Sequence, residues 1–419
     1  MDKYLISGGK RLYGEVQIQS AKNSILPIIG ASIISGGKTY IENCPRLNDV
    51  LVMCEIIRRI GGRAEFNCDT LVIDTEGVNS WILPDDLTGE IRASLFMVGA
   101  LLGRFGNASM KMPGGCRIGE RPIDIHINSL KRLGVNSRVD EYVTFFVKGL
   151  KNAEITLDFP SVGATENLMM LAIFCEGVTL IKNCAKEPEV VDLQRYLNLI
   201  GARVSGAGTD TVRIDGGKTS FKKEVFITPS PDRIELETFM LMGASVGGEL
   251  NFKLSDTKNS QKLLKIFKNN ACKFTYISDN IYNIRFPKRM CGFGKVITGP
   301  YPDFATDTQP QLVACACTAN GLTVVEDRVF PKRFSYTDQL KIMGADISVK
   351  QNACIVQGGA LHGAKVIAGD LRGGASLVLA GLSAEGETEV RGVGIIDRGY
   401  YGLEDKLTAL GAKIKRVAY

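Results

Sequence analysis

Histidine is nearly missing from this 419-residue chain, which has only His126 and His362, far apart in sequence. Metal chemistry is therefore poorly supplied. The closest cysteine pair, Cys315-Ala-Cys317, lies in an apolar segment and reads as packing rather than as a ligand pair. No metal and no cofactor are expected. Long apolar runs are also lacking: stretches such as SLFMVGALLG are too short to span a bilayer, so no membrane association is expected. Runs of one charge are missing as well. The net charge of +6 arises from 51 basic and 45 acidic residues spread as mixed signs, which does not favour nucleic acid and suits small anionic ligands equally well. The opening MDKYLISGGK carries neither the basic region nor the apolar stretch of a signal peptide. Eleven cysteines form an odd, scattered set with no framework spacing, which points to free thiols in a reducing compartment. A cytoplasmic protein is expected.

The chain does contain repetition. Six segments each open with a polar turn and an alternating strand, run through a helix, and end in a Gly or Ala and a second strand. TYIEN, TLIKN and TVVED show the period-two strand signal. The helices place apolar residues at i, i+3 and i+4, as in Leu193, Tyr196, Leu197 and Ile200, and stop at glycines suited to a left-handed cap: Gly134, Gly201, Gly344 and Gly411. Between the segments lie helices apolar nearly all round, including ILPIIGASII, IRASLFMVGALLGRFG and ATENLMMLAIFCEG, which should be buried. The fold class predicted is α/β, with six βαβαββ units of about 70 residues. The proline-rich TPSPDR near the midpoint reads as a crossing between two globes of three units. The N-terminal strand is free to pair with the second globe. The expected domains are residues 21–229, and 1–20 with 230–419. Two crossings make a hinge, and the groove between the globes is where a ligand would bind.

Several short stretches carry chemistry. In MPGGCRIGERP one thiol, Cys116, stands between flexible glycines and the guanidinium groups of Arg117 and Arg121, which should lower its pKa and raise its thiolate fraction. The glycines make the segment a mobile lid, and a free thiol left on a loop is the bland alternative. Lys22-Asn23 precedes an apolar helix in an otherwise uncharged stretch. Ser161-Val162-Gly163 leads into ATENLMML, so it is either a serine-capped turn or a diphosphate seat at a helix start. Asp307 is either the N-cap of the helix beginning QPQLVACACT or a base. Single arginines such as Arg92, Arg121, Arg372 and Arg398 could be ordinary surface ion pairs or anion clamps. Asp49 and Glu189 occupy equivalent points of two repeats and read as structural caps. The ten cysteines other than Cys116 read as structural.

In order along the chain, SAKNSILP, PGGCRIGERPID, FPSVGAT, PDRIE, FATDTQPQ, RFSY, DLRGGASLVLAG and IIDRGY resemble the UDP-N-acetylglucosamine 1-carboxyvinyltransferase family of enolpyruvyl transferases. The resemblance covers essentially the whole chain. It implies two inside-out α/β barrels joined by a two-stranded hinge, with substrates bound between them. It also implies transfer of the enolpyruvyl group of phosphoenolpyruvate to the 3-hydroxyl of UDP-N-acetylglucosamine by addition and elimination of phosphate, the step that begins peptidoglycan synthesis. By the resemblance Lys22 and Arg398 clamp phosphoenolpyruvate, Arg121 and Arg372 complete the anion cage, and Asp370 holds Arg372 in place; two polyanionic substrates call for several fixed cations, and Arg92 is a further candidate. Asn23 bonds the acceptor sugar, Asp307 takes its hydroxyl proton, and Cys116 acts at the C3 end of the donor, as proton donor or in product release, and is alkylated by fosfomycin. The uridine diphosphate end falls on Arg121, Pro122, Ile123, Asp124 and Ile125 and on Ser161, Val162 and Gly163, completed by Val329 and Arg333. The partners implied are these two small molecules, and a monomer is expected.

The chain departs from the family in places. Phe159-Pro160 stands beside the SVG segment where some members carry lysine, Pro331-Lys332 replaces an acidic residue and asparagine, and Leu236-Glu237 is bulky where small residues are common. The fourth repeat, TKNSQKLLKIFKNNACKF, is rich in lysine and asparagine. The competing readings are the shikimate-type enolpyruvyl transferase, which uses no loop cysteine, and an inactive nucleotide-sugar-binding paralogue.

Overall fold

The computed structural model describes residues 2–89, 92–112, 123–253, 258–278 and 281–418. Its contacts divide the chain into two units. One takes residues 2–19 and 231–418 of the described chain, the other 20–112 and 123–230.

Among the described residues, six small sheets share one pattern. A strand pairs in parallel with its neighbour, which continues into two antiparallel partners. Glu224–Ile227 runs parallel to Lys38–Ile41, and Thr70–Asp74 and Arg63–Asn67 follow in antiparallel order. Gly294–Thr298, Leu322–Asp327, Ala353–Gln357 and Asp346–Lys350 repeat it. In the smallest sheet, built on Asn107–Lys111, the parallel member is a single bridge between Ile82 and Ser109. The N-terminal chain forms two strands. Asp2–Ser7 lies between Glu387–Arg391 and Lys413–Ala418, and Leu12–Gln17 runs parallel to Gly248–Lys253. Both sheets that receive them belong to the unit formed by the C-terminal half.

Each repeat contributes one helix that is apolar on nearly every face: α1 (Lys22–Ser35), α2 (Val98–Phe105) and α3 (Val162–Ala172) in one unit, α4 (Arg233–Val246), α5 (Gln309–Ala316) and α6 (Leu371–Ser383) in the other. Within each unit the three pack on one another, which explains why no polar stripe is needed. Close approach demands glycine here. A Cβ on Gly99 would stand 2.4 Å from the backbone oxygen of Asn167, and one on Gly30 would stand 2.8 Å from that of Phe96. The amphipathic helices of the repeats end as expected: Gly134, Gly201, Gly344 and Gly411 follow the last turn at φ of 91°, 99°, 89° and 93°.

One helix differs from expectation. The stretch read as a single helix is a 3₁₀ segment, Arg92–Met97, followed by α2. The cause lies in Asn167. Its Nδ2 donates to the Leu95 carbonyl at 3.0 Å and its Oδ1 accepts from the Gly99 N–H at 2.6 Å. Those are the two groups that an α-helix would join, so the amide is wedged into the ladder.

Candidate active site

In the unit of residues 20–230, Lys22 is the first residue of α1 and is almost buried. Its Nζ lies 3.1 Å from Oδ2 of Asp49. This corrects the reading of Asp49 as a cap. It stands in the first turn of Asn48–Arg59, the N-cap is Leu47, and the carboxylate is turned on the ammonium of Lys22. A buried ammonium needs such a partner. Asn23 is half-buried, and Pro27 lacks the N–H that its carbonyl would otherwise receive. Next to it, Ser24 Oγ donates to Asp192 at 2.7 Å, and Asp192 also accepts the N–H of Ser230 at 2.8 Å and its hydroxyl at 3.0 Å. The start of α1 is thus tied to the segment that leaves this unit.

Ser161 caps α3, with its Oγ accepting from the Ala164 N–H at 3.4 Å; Val162 and Gly163 form the first turn, and all three are half-buried. The hydroxyl is engaged as a cap, so a diphosphate at this helix start would meet backbone N–H groups. Behind the turn lies His126, buried, with Nδ1 3.3 Å from Asn167 Nδ2; a Cβ on Gly163 would stand 3.0 Å from its ring. Ile123 is the buried N-cap of Asp124–Arg132, Asp124 is exposed, and Ile125 and Arg92 are half-buried. Glu189 is likewise not a cap: the N-cap of its helix is Glu187, and Glu189 is buried in the first turn. It faces Glu166, a fully buried carboxyl with no hydrogen-bond partner among the described residues. Burial first, then the charges of Glu189 and Glu187, push Glu166 well above the ordinary carboxylate range.

The other unit presents Asp307 among cations. Arg333 Nη1 donates to Oδ1 at 2.7 Å, while Arg372 reaches Oδ2 through Nε at 3.3 Å and Nη2 at 3.2 Å. Asp307 does not cap α5, whose N-cap is Thr308. Its side chain keeps 30% exposure while those of Arg333 and Arg372 keep 4% and 2%, so the carboxylate is the part of the cluster that a ligand can reach. Asp370 holds Arg372 through the backbone: it is the N-cap of α6 and accepts the N–H groups of Arg372 and Gly373. The Arg372 guanidinium is buried against the Tyr400 ring, 5.2 Å from its centroid. Val329 gives its N–H to Asp327, and Arg398 is half-buried. Cys116, Arg121 and Pro122 lie outside the described residues.

The sequence reading missed His126, Asn167, Asp192, Thr308 and Glu237 as organising side chains. Their common signal is a polar residue within a helical stretch or at its start, which marks a position without naming its partner. Of the ten described cysteines, Cys68 and Cys291 are exposed, which corrects their reading as structural; the rest are buried, and burial pushes the thiols of Cys54, Cys272 and Cys354 up to about 12.

Comparison with known proteins decides the family. The family described as EPSP synthase (3-phosphoshikimate 1-carboxyvinyltransferase) matches residues 6–407. UDP-N-acetylglucosamine 1-carboxyvinyltransferase 2 of Caldanaerobacter subterraneus subsp. tengcongensis is 45% identical over 420 residues, covering 100% of both chains. The chain belongs to the UDP-N-acetylglucosamine 1-carboxyvinyltransferase family. The enzyme of that name from Trichlorobacter lovleyi is 41% identical over 423 residues, again with 100% of each chain covered. Among solved structures, the enolpyruvyl transferase NikO from Streptomyces tendae superposes with a TM-score of 0.89 at 25% identity, covering 100% of this chain and 99% of its own. EPSP synthase from Acinetobacter baumannii, at a TM-score of 0.74, 17% identity and 100% coverage of both chains, shares the fold alone. The fold of this UDP-N-acetylglucosamine 1-carboxyvinyltransferase family member is thus the α/β enolpyruvyl transferase fold. Among the described residues no helix is long and apolar enough to cross a membrane.

Proposed function

We propose that the chain transfers the enolpyruvyl group of phosphoenolpyruvate to the 3-hydroxyl of UDP-N-acetylglucosamine and releases phosphate, in the cytoplasm. The observation that carries this is identity of 45% over 420 residues, end to end, with an enzyme of that name. On this reading each unit is an inside-out α/β barrel of three repeats. Three mutually packed buried helices per unit, each with its own small mixed sheet, support it.

The chemistry needs a base, a proton for carbon and fixed positive charge. An alcohol attacks poorly until its proton has an acceptor within reach, and Asp307 is the partly exposed carboxylate that would take it. The sugar oxygen then bonds to C2 of phosphoenolpyruvate as C3 gains a proton, for which Cys116 is the candidate donor. The tetrahedral adduct loses a proton from C3 and expels phosphate, restoring the double bond. Both substrates are polyanions, so Lys22, Arg92, Arg121, Arg372 and Arg398 serve as the cations that meet them. Asn23 bonds the sugar. Ile123, Asp124, Ile125, the start of α3, Val329 and Arg333 receive the nucleotide end, and Asp370 keeps Arg372 aligned by capping its helix.

Fosfomycin tests the thiol. Intact-mass measurement should show one adduct on the full-length protein, formed at Cys116 and absent from Cys116→Ser. An adduct on Cys116→Ser, or on Cys68 or Cys291 instead, would contradict the reading.

A further inference from the structure

Thr308 ends the turn that carries Asp307 and stands at the N-cap of α5. A threonine there ordinarily turns its oxygen on the first N–H groups of its own helix. Thr308 makes no such bond. Its hydroxyl donates instead to Oε2 of Glu237, 71 residues earlier on α4. Thr308 and Glu237 are 0% and 5% exposed, so this bond forms in the interior, where a carboxylate without partners is costly. Arg233, one turn before Glu237 on α4, supplies the compensating charge, and Asp232 at the start of the same helix faces it as a like charge. Thr308 is also bound locally, its N–H donating to Ala305 across the turn. Asp307 is therefore held from two directions. Arg333 and Arg372 fix its carboxylate, and the Thr308 to Glu237 bond fixes the backbone from which it projects.

We propose that Glu237 is a positioning residue for Asp307, acting through the Thr308 hydroxyl. This rests on the reading of Asp307 as the base. A carboxylate displaced by a fraction of an ångström still carries its charge but no longer meets the hydroxyl at the right angle. The loss should appear in turnover rather than in binding.

The test compares full-length Glu237→Ala, Glu237→Gln, Thr308→Val, the Glu237→Ala/Thr308→Val double variant and Asp307→Asn in steady-state assays with phosphoenolpyruvate and UDP-N-acetylglucosamine, each with its thermal midpoint. Glu237→Ala and Thr308→Val should each lower kcat by about 10- to 100-fold, with KM for both substrates within about twofold of the parent. Glu237→Gln keeps an oxygen for the hydroxyl and should restore kcat to within about threefold of the parent. The double variant should lose no more than the worse single one, because both remove the same bond. Parent-like kcat in Thr308→Val, additive losses, or a fall confined to the thermal midpoint would overturn the proposal. If Glu237→Ala does not fold, Thr308→Val and Glu237→Gln carry the comparison. Asp307→Asn separates the two readings. Parent-like turnover there ends the role of Asp307 as base, whereas an inactive Asp307→Asn beside a fully active Thr308→Val ends only the positioning role.

Discussion

Glu166 shows what a single buried side chain contributes. Its carboxyl is held above the ordinary range by burial and by Glu189 and Glu187. The unfolded chain gives up this proton near the ordinary carboxylate value, and the folded chain keeps it to higher pH. The folded state therefore binds more protons in that window, and stability falls as pH rises, by at most about 1.4 kcal/mol per pH unit for one group. Glu166→Gln should flatten the decline in urea midpoint between about pH 5 and 8 and be the more stable protein at the alkaline end. Parallel pH curves for parent and variant would show that the group is not coupled to folding. At this scale the sequence was legible only in part. Lys22, Asp307 and Arg372 stand out as charges in apolar surroundings, and the structure brings Arg372 and Arg333 onto Asp307. Asp49 has the sequence signature of a helix-start acid, and nothing local reveals that its carboxylate serves Lys22, 27 residues away. Glu237 is visible as an oddity, but its partner Thr308 is not.

Among the elements, the central helices are where pattern and packing agree most closely. An all-round apolar helix has no option but burial, and glycines within it mark where another backbone comes near. Gly99→Ala should cost about 1–3 kcal/mol in urea unfolding, since α2 must move away from α3. An unchanged midpoint would mean that the approach seen between them is not required. The break between Arg92–Met97 and α2 was not legible. Periodicity runs through both pieces, and the interruption depends on Asn167 arriving from a different repeat. The amphipathic helices were easier, because a left-handed glycine leaves a local signature.

For the whole molecule, repetition was the strongest signal in the sequence, and six sheets with one strand pattern match it. The smallest sheet, with its parallel strand reduced to one bridge, shows how far a repeat can erode while keeping its place. Function at this scale follows from family membership together with the groups described above. The most direct measurement of it is release of phosphate from phosphoenolpyruvate by the purified chain, with UDP-N-acetylglucosamine, with shikimate 3-phosphate and with no acceptor. Release with UDP-N-acetylglucosamine alone is the predicted result. Release with shikimate 3-phosphate in its place, or with neither acceptor, would contradict the account.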